Sequence, residues 1–263
     1  QPQGSGNAGA ASVTFDGSVA TTAAQTIRAG AISTNASGAG TATYQTTDST
    51  VTWDGAVTLD GDTDVVTDAG TGANIIVTGT VDAAALGAQA LSLHAGGGTV
   101  TLQSVVGGST EPASLSIEGG TIALDDVATT GAHTYSGDGG VPAAANITLN
   151  GTSYTASGVA ATDDTMTFSG PVTLAGGGAT TIQNYGGETT DDIVFNSTID
   201  GALALTVTAA TLGDITFSGA IGSGGGGSEP TELNVDADDL IIDAVTLVTG
   251  GALTLESNTI DLN

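Results

Sequence analysis

The chain has 263 residues, with 28 acidic side chains against a single basic one, Arg28, for a formal charge of −27. Binding a phosphate backbone or an anionic membrane surface depends on Lys and Arg displacing counterions, so nucleic acid is excluded as a partner. No apolar run is long enough to insert in a bilayer as a helix. The hydrophobic share of 39% can support a core, but it is mostly Ala, Val, Leu and Ile with 3% aromatic, and the 42 glycines lack the every-third-residue period of collagen.

Residues 1–11 read as an irregular lead-in. The chain starts at Gln1 without Met and without a basic, apolar signal sequence, which predicts processing from a longer precursor. From Ser12 a short motif begins: apolar, any residue, apolar, two or three turn-formers, apolar. Its clearest copies are Val13-Thr14-Phe15-Asp16-Gly17-Ser18-Val19, Val51-Thr52-Trp53-Asp54-Gly55-Ala56-Val57, Met166-Thr167-Phe168-Ser169-Gly170-Pro171-Val172 and Ile215-Thr216-Phe217-Ser218-Gly219-Ala220-Ile221. Its first position falls at Val13, Ile32, Val51, Ile75, Val100, Ile122, Ile147, Met166, Ile193, Ile215 and Leu240; the ten steps from 13 to 240 average about 23 residues. Alternation of apolar residues with Thr predicts strands buried on one face. Gly, Asn and Asp between them predict turns, and no helical period is present.

A step of this length is the circumference of one coil of a parallel β-helix. The predicted fold is therefore all-β, a right-handed parallel β-helix of about eleven coils, with the handedness taken from the resemblance described below. At the strand spacing of about 4.8 Å it would form a rod on the order of 50 Å long. The third motif position, Phe15, Trp53, Val77, Leu102, Leu124, Leu149, Phe168, Phe195, Phe217 and Ile242, is predicted to stack as one internal column. A tandem of immunoglobulin-like sandwiches is the rival architecture, since it too would give short strands and acidic turns.

A longer period overlies the short one. Val19 to Ile27 (VATTAAQTI) returns at Val127 to Tyr135 (VATTGAHTY), a shift of 108 from residue 19 to residue 127. Ile75 to Asp82 (IIVTGTVD) matches Ile193 to Asp200 (IVFNSTID), and Glu111 to Ile117 matches Glu229 to Val235, both shifted by 118. These matches divide one continuous solenoid into a first super-repeat of five coils (12–120), a second of five coils (121–238) and the start of a third (239–263).

The acidic turn Asp60-Gly61-Asp62-Thr63-Asp64, followed by Asp68, spaces carboxylates as an oxygen-ligand calcium loop does. Val65 and Thr71 stand where an EF-hand needs Gly and Glu, so calcium would be held only as a turn-stabilising ion. The weightier expectation is a solvated acidic turn, and no other cofactor is expected. Asp125-Asp126, Asp163-Asp164, Asp191-Asp192 and Asp236 to Asp239 are further acidic clusters. Paired carboxylates can hydrolyse glycosides, but one arginine is too little cation for sugar-acid chemistry. His94 and His133 lack triad or metal partners in sequence and are expected on corners or the surface. Catalysis is not expected.

The strings VTFDGSV, ITFSGAIG, IVFNSTIDGALALTV, SEPTELNVDADDLIIDAVTL and VATTGAHTYSG resemble the central repeats of large bacterial exoproteins of the filamentous-haemagglutinin and autotransporter type, from Ser12 onward. That resemblance implies a right-handed parallel β-helix, export to the cell surface, and adhesive or scaffolding work. Partners would then be neighbouring repeats or copies of the chain end to end, and host or environmental surface glycans. A self-assembling extracellular filament or sheath subunit and a carbohydrate-binding or carbohydrate-active β-helix are the alternatives.

Overall fold

The structure is a computed structural model that describes residues 11–38, 40–67, 72–137, 145–158, 164–222, 227–243 and 246–263. It is an all-β parallel solenoid: every strand pairing among the described residues is parallel and joins segments one turn apart, which a sandwich of antiparallel hairpins would not give. No helix occurs in the described residues.

Three faces wind in fixed order. On face 1 the inward side chains pair as Val13, Ile32, Val57 and Val81, cross a bridge at Val106, and continue as Val127, Tyr154, Ile182, Val207, Val235 and Leu255. Face 2 runs Val19, Tyr44, Val65, Leu93, Ile117, Tyr135, Phe168, Phe195, Phe217, Ile242 and Leu262. Face 3 runs Ile27, Trp53, Val77, Leu102, Leu124, Leu149 and Leu174. The strands are short because each face holds only two or three inward residues before the chain turns. Four longer ones, Gln25–Thr34, Val51–Leu59, Glu232–Ile242 and Leu253–Leu262, carry their pairing around a corner.

Complete coils are fewer than the eleven expected. Face 3 carries a strand in about eight turns, and beyond Ile199–Asp200 it thins to isolated bridges at Ile221 and Leu247. The motif starts overcount complete coils because they do not mark one place on the coil. Val13 and Ile32 begin segments of face 1, Val51 to Ile147 segments of face 3, and Met166 to Leu240 segments of face 2.

The single internal column expected from the third motif position is therefore two stacks. Trp53, Val77, Leu102, Leu124 and Leu149 lie one above another on face 3. Phe168, Phe195, Phe217 and Ile242 do so on face 2. Phe15 joins neither: it is half-buried, edge-on to Tyr44 at 5.5 Å between ring centres. All the members of the two stacks are buried, on different walls of the core.

The long repeat explains the change of wall. From Val19 the inward positions proceed through Ile27, Ile32, Tyr44, Trp53, Val57, Val65, Val77, Val81, Leu93, Leu102, Val106, Ile117 and Leu124 to Val127, fourteen faces in all. Fourteen is four turns and two faces, so each sequence copy returns one face earlier. Val19 lies on face 2 and its copy Val127 on face 1; Val77 on face 3 and Phe195 on face 2; Ile117 on face 2 and Val235 on face 1. Pairing runs without a break through residue 120, since Thr99–Leu102 pairs with Thr121–Leu124.

Glycine at the fifth motif position makes the corner. A Cβ on Gly170 would lie 1.7 Å from the carbonyl oxygen of Ala145 one coil away, and Gly55, at φ +153°, would put one 1.9 Å from that of Ala29. Successive backbones approach so closely there that only glycine fits.

Candidate functional site

Many of the acidic residues hold one coil to the next. Asp82 Oδ1 accepts the backbone N–H groups of Ser109 and Thr110 at 2.8 and 3.1 Å. Asp126 Oδ1 does the same for Thr152 and Ser153 at 2.5 and 2.9 Å. Asp192 accepts from Asp214 N–H at 2.9 Å, and Asp214 in turn from Asp239 N–H at 3.2 Å. The partners are 22 to 28 residues apart, one coil. A turn at a coil corner leaves N–H groups outside the sheet ladder, and a short carboxylate on the adjacent coil satisfies them without added chain length. Burial nonetheless pushes the Asp214 carboxyl up from the usual carboxylate value, with the Asp239 N–H opposing that rise.

The same use divides the acidic turn at Asp60 to Asp64, weighed as a calcium loop against a solvated turn. Asp60 accepts from the Ser33 hydroxyl, Asp62 accepts from Ala90 N–H at 3.0 Å, and Asp64 faces His94 Nε2 at 3.4 Å. Each carboxylate thus answers a different group, and Asp68 lies outside the described residues. Among the described residues no three potential ligands are grouped to hold a metal ion. His94 bridges two coils: its Nδ1 is 3.2 Å from Glu118, so one imidazole stands between two carboxylates. Burial raises the Asp64 carboxyl, and His94 opposes that rise.

His133 is not a surface or corner residue. It is fully buried on face 2, with Nδ1 3.1 Å from the Tyr135 hydroxyl and its ring edge-on to that of Tyr135. Loss of hydration holds its pKa down at about 3, so it is neutral in the fold. Gln25, its sequence counterpart, is also buried, and donates from Nε2 to Gln45 O at 2.7 Å. Asn35 is a third internal polar peg, in left-handed conformation at φ 56°, donating to Gly40 O and Asp62 O at 2.7 and 3.1 Å. Sequence reasoning missed these pegs because a turn-prone Asn or Gln looks the same whether its amide turns outward to water or inward to a neighbouring coil.

A shallow groove of about 440 Å³ opens at the corner between faces 1 and 2. Small corner residues Ala209 and Ala237 form its floor, and Gln183, Thr208 and Asp236, outward neighbours in three successive coils, form one side. Tyr185 stands at its rim, 56% exposed. Sequence reasoning named Asp236 to Asp239 only as an acidic cluster and gave Tyr185 no role. The short motif gave no signal for it, since the buried Tyr44, Tyr135 and Tyr154 lie outside every copy as well.

No protein-family model matches this chain, and no curated protein or solved structure is similar to it.

Proposed function

We propose that this chain is a non-enzymatic structural segment of an extracellular bacterial surface adhesin, a stiff repetitive stalk that sets a binding tip away from the cell. The observation that carries the proposal is the double linkage of successive coils, in which backbone ladders on three faces are reinforced at the corners by carboxylates reaching across one coil. Such a rod resists bending, because any bend must open ladders on one face while the others hold. The acidic surface keeps neighbouring rods apart. The resemblance of the repeats to those of large exoproteins supports the same assignment.

A filament subunit that stacks end to end is the second proposal, since the parallel ladders that join one coil to the next would join one chain to the next in the same way. Light scattering and negative-stain microscopy of the purified chain separate the two. The stalk predicts single rods whose length grows by about 4.8 Å for each added coil. Concentration-dependent fibres of the unextended chain support the subunit, and compact or flexible particles overturn both.

A further inference from the structure

We infer that the groove at the corner of faces 1 and 2 is a binding site for a neutral, hydroxyl-rich chain, a pyranose oligosaccharide. The first observation is Tyr185. Among the nine aromatic residues of the chain it alone is exposed; the others are buried or, for Phe15 only, half-buried against the core. Exposure of a ring has no stabilising effect on the coil. The backbone beneath it is nevertheless tightly held. Tyr185 N–H donates to Ala156 O at 2.8 Å. The preceding Asn184 is fully buried, donating to Asp164 O at 3.0 Å and accepting from Gly186 N–H at 3.0 Å. The backbone that carries the ring is thus fixed, and only the two side-chain torsions of Tyr185 are left to order on binding.

The second observation is what surrounds the ring. Gln183, Thr208 and Asp236 present an amide, a hydroxyl and a carboxylate from successive coils, at strand spacings of about 4.8 Å. Asp238 and Asn258 close the other end, with the Asn258 amide donating to the Asp238 carboxylate. A pyranose ring has an apolar face of C–H groups and a rim of hydroxyls that both donate and accept. The tyrosine face takes the first, and the amide and carboxylate set takes the second. No cationic side chain lines the groove, so a sugar acid or phosphate would meet only repulsion. A cation would find carboxylates over most of this chain, and the ring and amides are what set this groove apart.

This site is independent of the stalk proposal, since a rod that binds no sugar remains a rod. Its test is calorimetric titration of the whole chain with cellohexaose, laminarihexaose and maltohexaose, with hexagalacturonate and spermine as charged comparators. At least one neutral hexasaccharide is expected to bind with a dissociation constant of about 1 mM or tighter, unchanged in 0.5 M NaCl. Tyr185→Ala should weaken it about tenfold without moving the melting temperature, Tyr185→Phe should keep it, and Asp236→Asn should weaken it several-fold. Absence of heat with all three neutral sugars overturns the proposal, as does undiminished binding by Tyr185→Ala. Preference for hexagalacturonate, or for spermine with loss in salt, overturns the assignment of a neutral ligand.

Discussion

Two runs of the short motif fill the same core by different means. From Val51 to Leu149 the third motif position builds an aliphatic wall on face 3, from Val77 and Leu102 of the first super-repeat and Leu124 and Leu149 of the second, above Trp53. From Met166 to Phe217, within the second super-repeat, the same position builds an aromatic wall on face 2, where Phe168, Phe195 and Phe217 stack nearly parallel at 4.7 and 5.3 Å between ring centres. One sequence pattern, displaced by one face, remains compatible with the coil beneath it because all three faces ask the same of a residue: apolar inward, polar outward, glycine at the corner. The faces are near-equivalent, so the solenoid tolerates a repeat that does not divide evenly into its turns. In a longer array of such units, any outward feature would return one face earlier with each copy and so distribute around the rod.

The strongest way to break this equivalence is to empty one wall. Phe195→Ala removes the middle ring of the stack and should cost about 3–5 kcal/mol, while Leu102→Ala on the aliphatic wall should cost about 2–5 kcal/mol, with Phe195→Leu well below either. Urea unfolding of the three variants measures this. Equal and small losses would mean that the coils repack freely and that the walls are not fixed.

Corner glycines sharpen the comparison next. Gly170→Ala and Gly55→Ala sit at the same motif position in the two units but at corners between different faces, and both drive a methyl into a carbonyl oxygen of the adjacent coil. Each should lose about 1–3 kcal/mol or more. Gly17→Ala, with nothing within 4 Å of the added carbon, should be close to neutral. Thermal melts of the three decide whether the corner is sterically the same wherever the motif lands.

Much of this was legible before the fold was seen, and the parts that were not share a cause. Strand alternation and turn spacing are local, and they marked the solenoid and the apolar positions of the short motif, but not buried residues outside it such as Tyr44, Leu93, Tyr135, Tyr154, Ile182 and Val207. The face on which a segment lies is cumulative. It depends on every connection before it, and these vary from three residues between Leu124 and Val127 to fourteen between Tyr154 and Phe168. Counting motif starts therefore reported the period but not the phase. The acidic clusters were legible as clusters, but which backbone N–H each carboxylate would meet depends on the coil above. His133 was misplaced for the same reason: its strand alternates correctly, but its inward phase is set elsewhere.

His133 and Gln25 compare the two units at one equivalent position, and the difference is in pH. A histidine held neutral at a pKa of about 3 while its unfolded value is 6.5 binds its proton only on unfolding. Its contribution is complete above pH 6.5 and is lost as pH falls toward 3. Between pH 7 and 5 this amounts to about 2 kcal/mol. His133→Gln, which installs the residue of the first unit, should flatten that part of the stability profile. The difference between the two profiles isolates this residue from the many carboxylates that also titrate; parallel profiles would mean that His133 is protonated in the fold.

The smallest effect is expected at the chain's one basic residue. Arg28 Nε donates to Asp54 Oδ2 at 2.6 Å across one coil, and this contact holds the Asp54 carboxyl below the usual carboxylate value. The pair is the natural candidate for a clamp on the first unit, yet the repeat argues against its importance. Shifted by 108, Arg28 becomes Ser136, which pairs in register with Glu118 and carries no charge, and the second unit winds through the corresponding corner, one face earlier, without an ion pair at that position. Arg28 is also largely exposed, so water and salt screen what attraction there is. Arg28→Ser should melt within error of the parent at 0.5 M NaCl and only slightly below it in low salt. A large, salt-independent loss would mean that the first unit depends on an ion pair its copy lacks, and the equivalence of the two units would hold for their backbones but not for their stability.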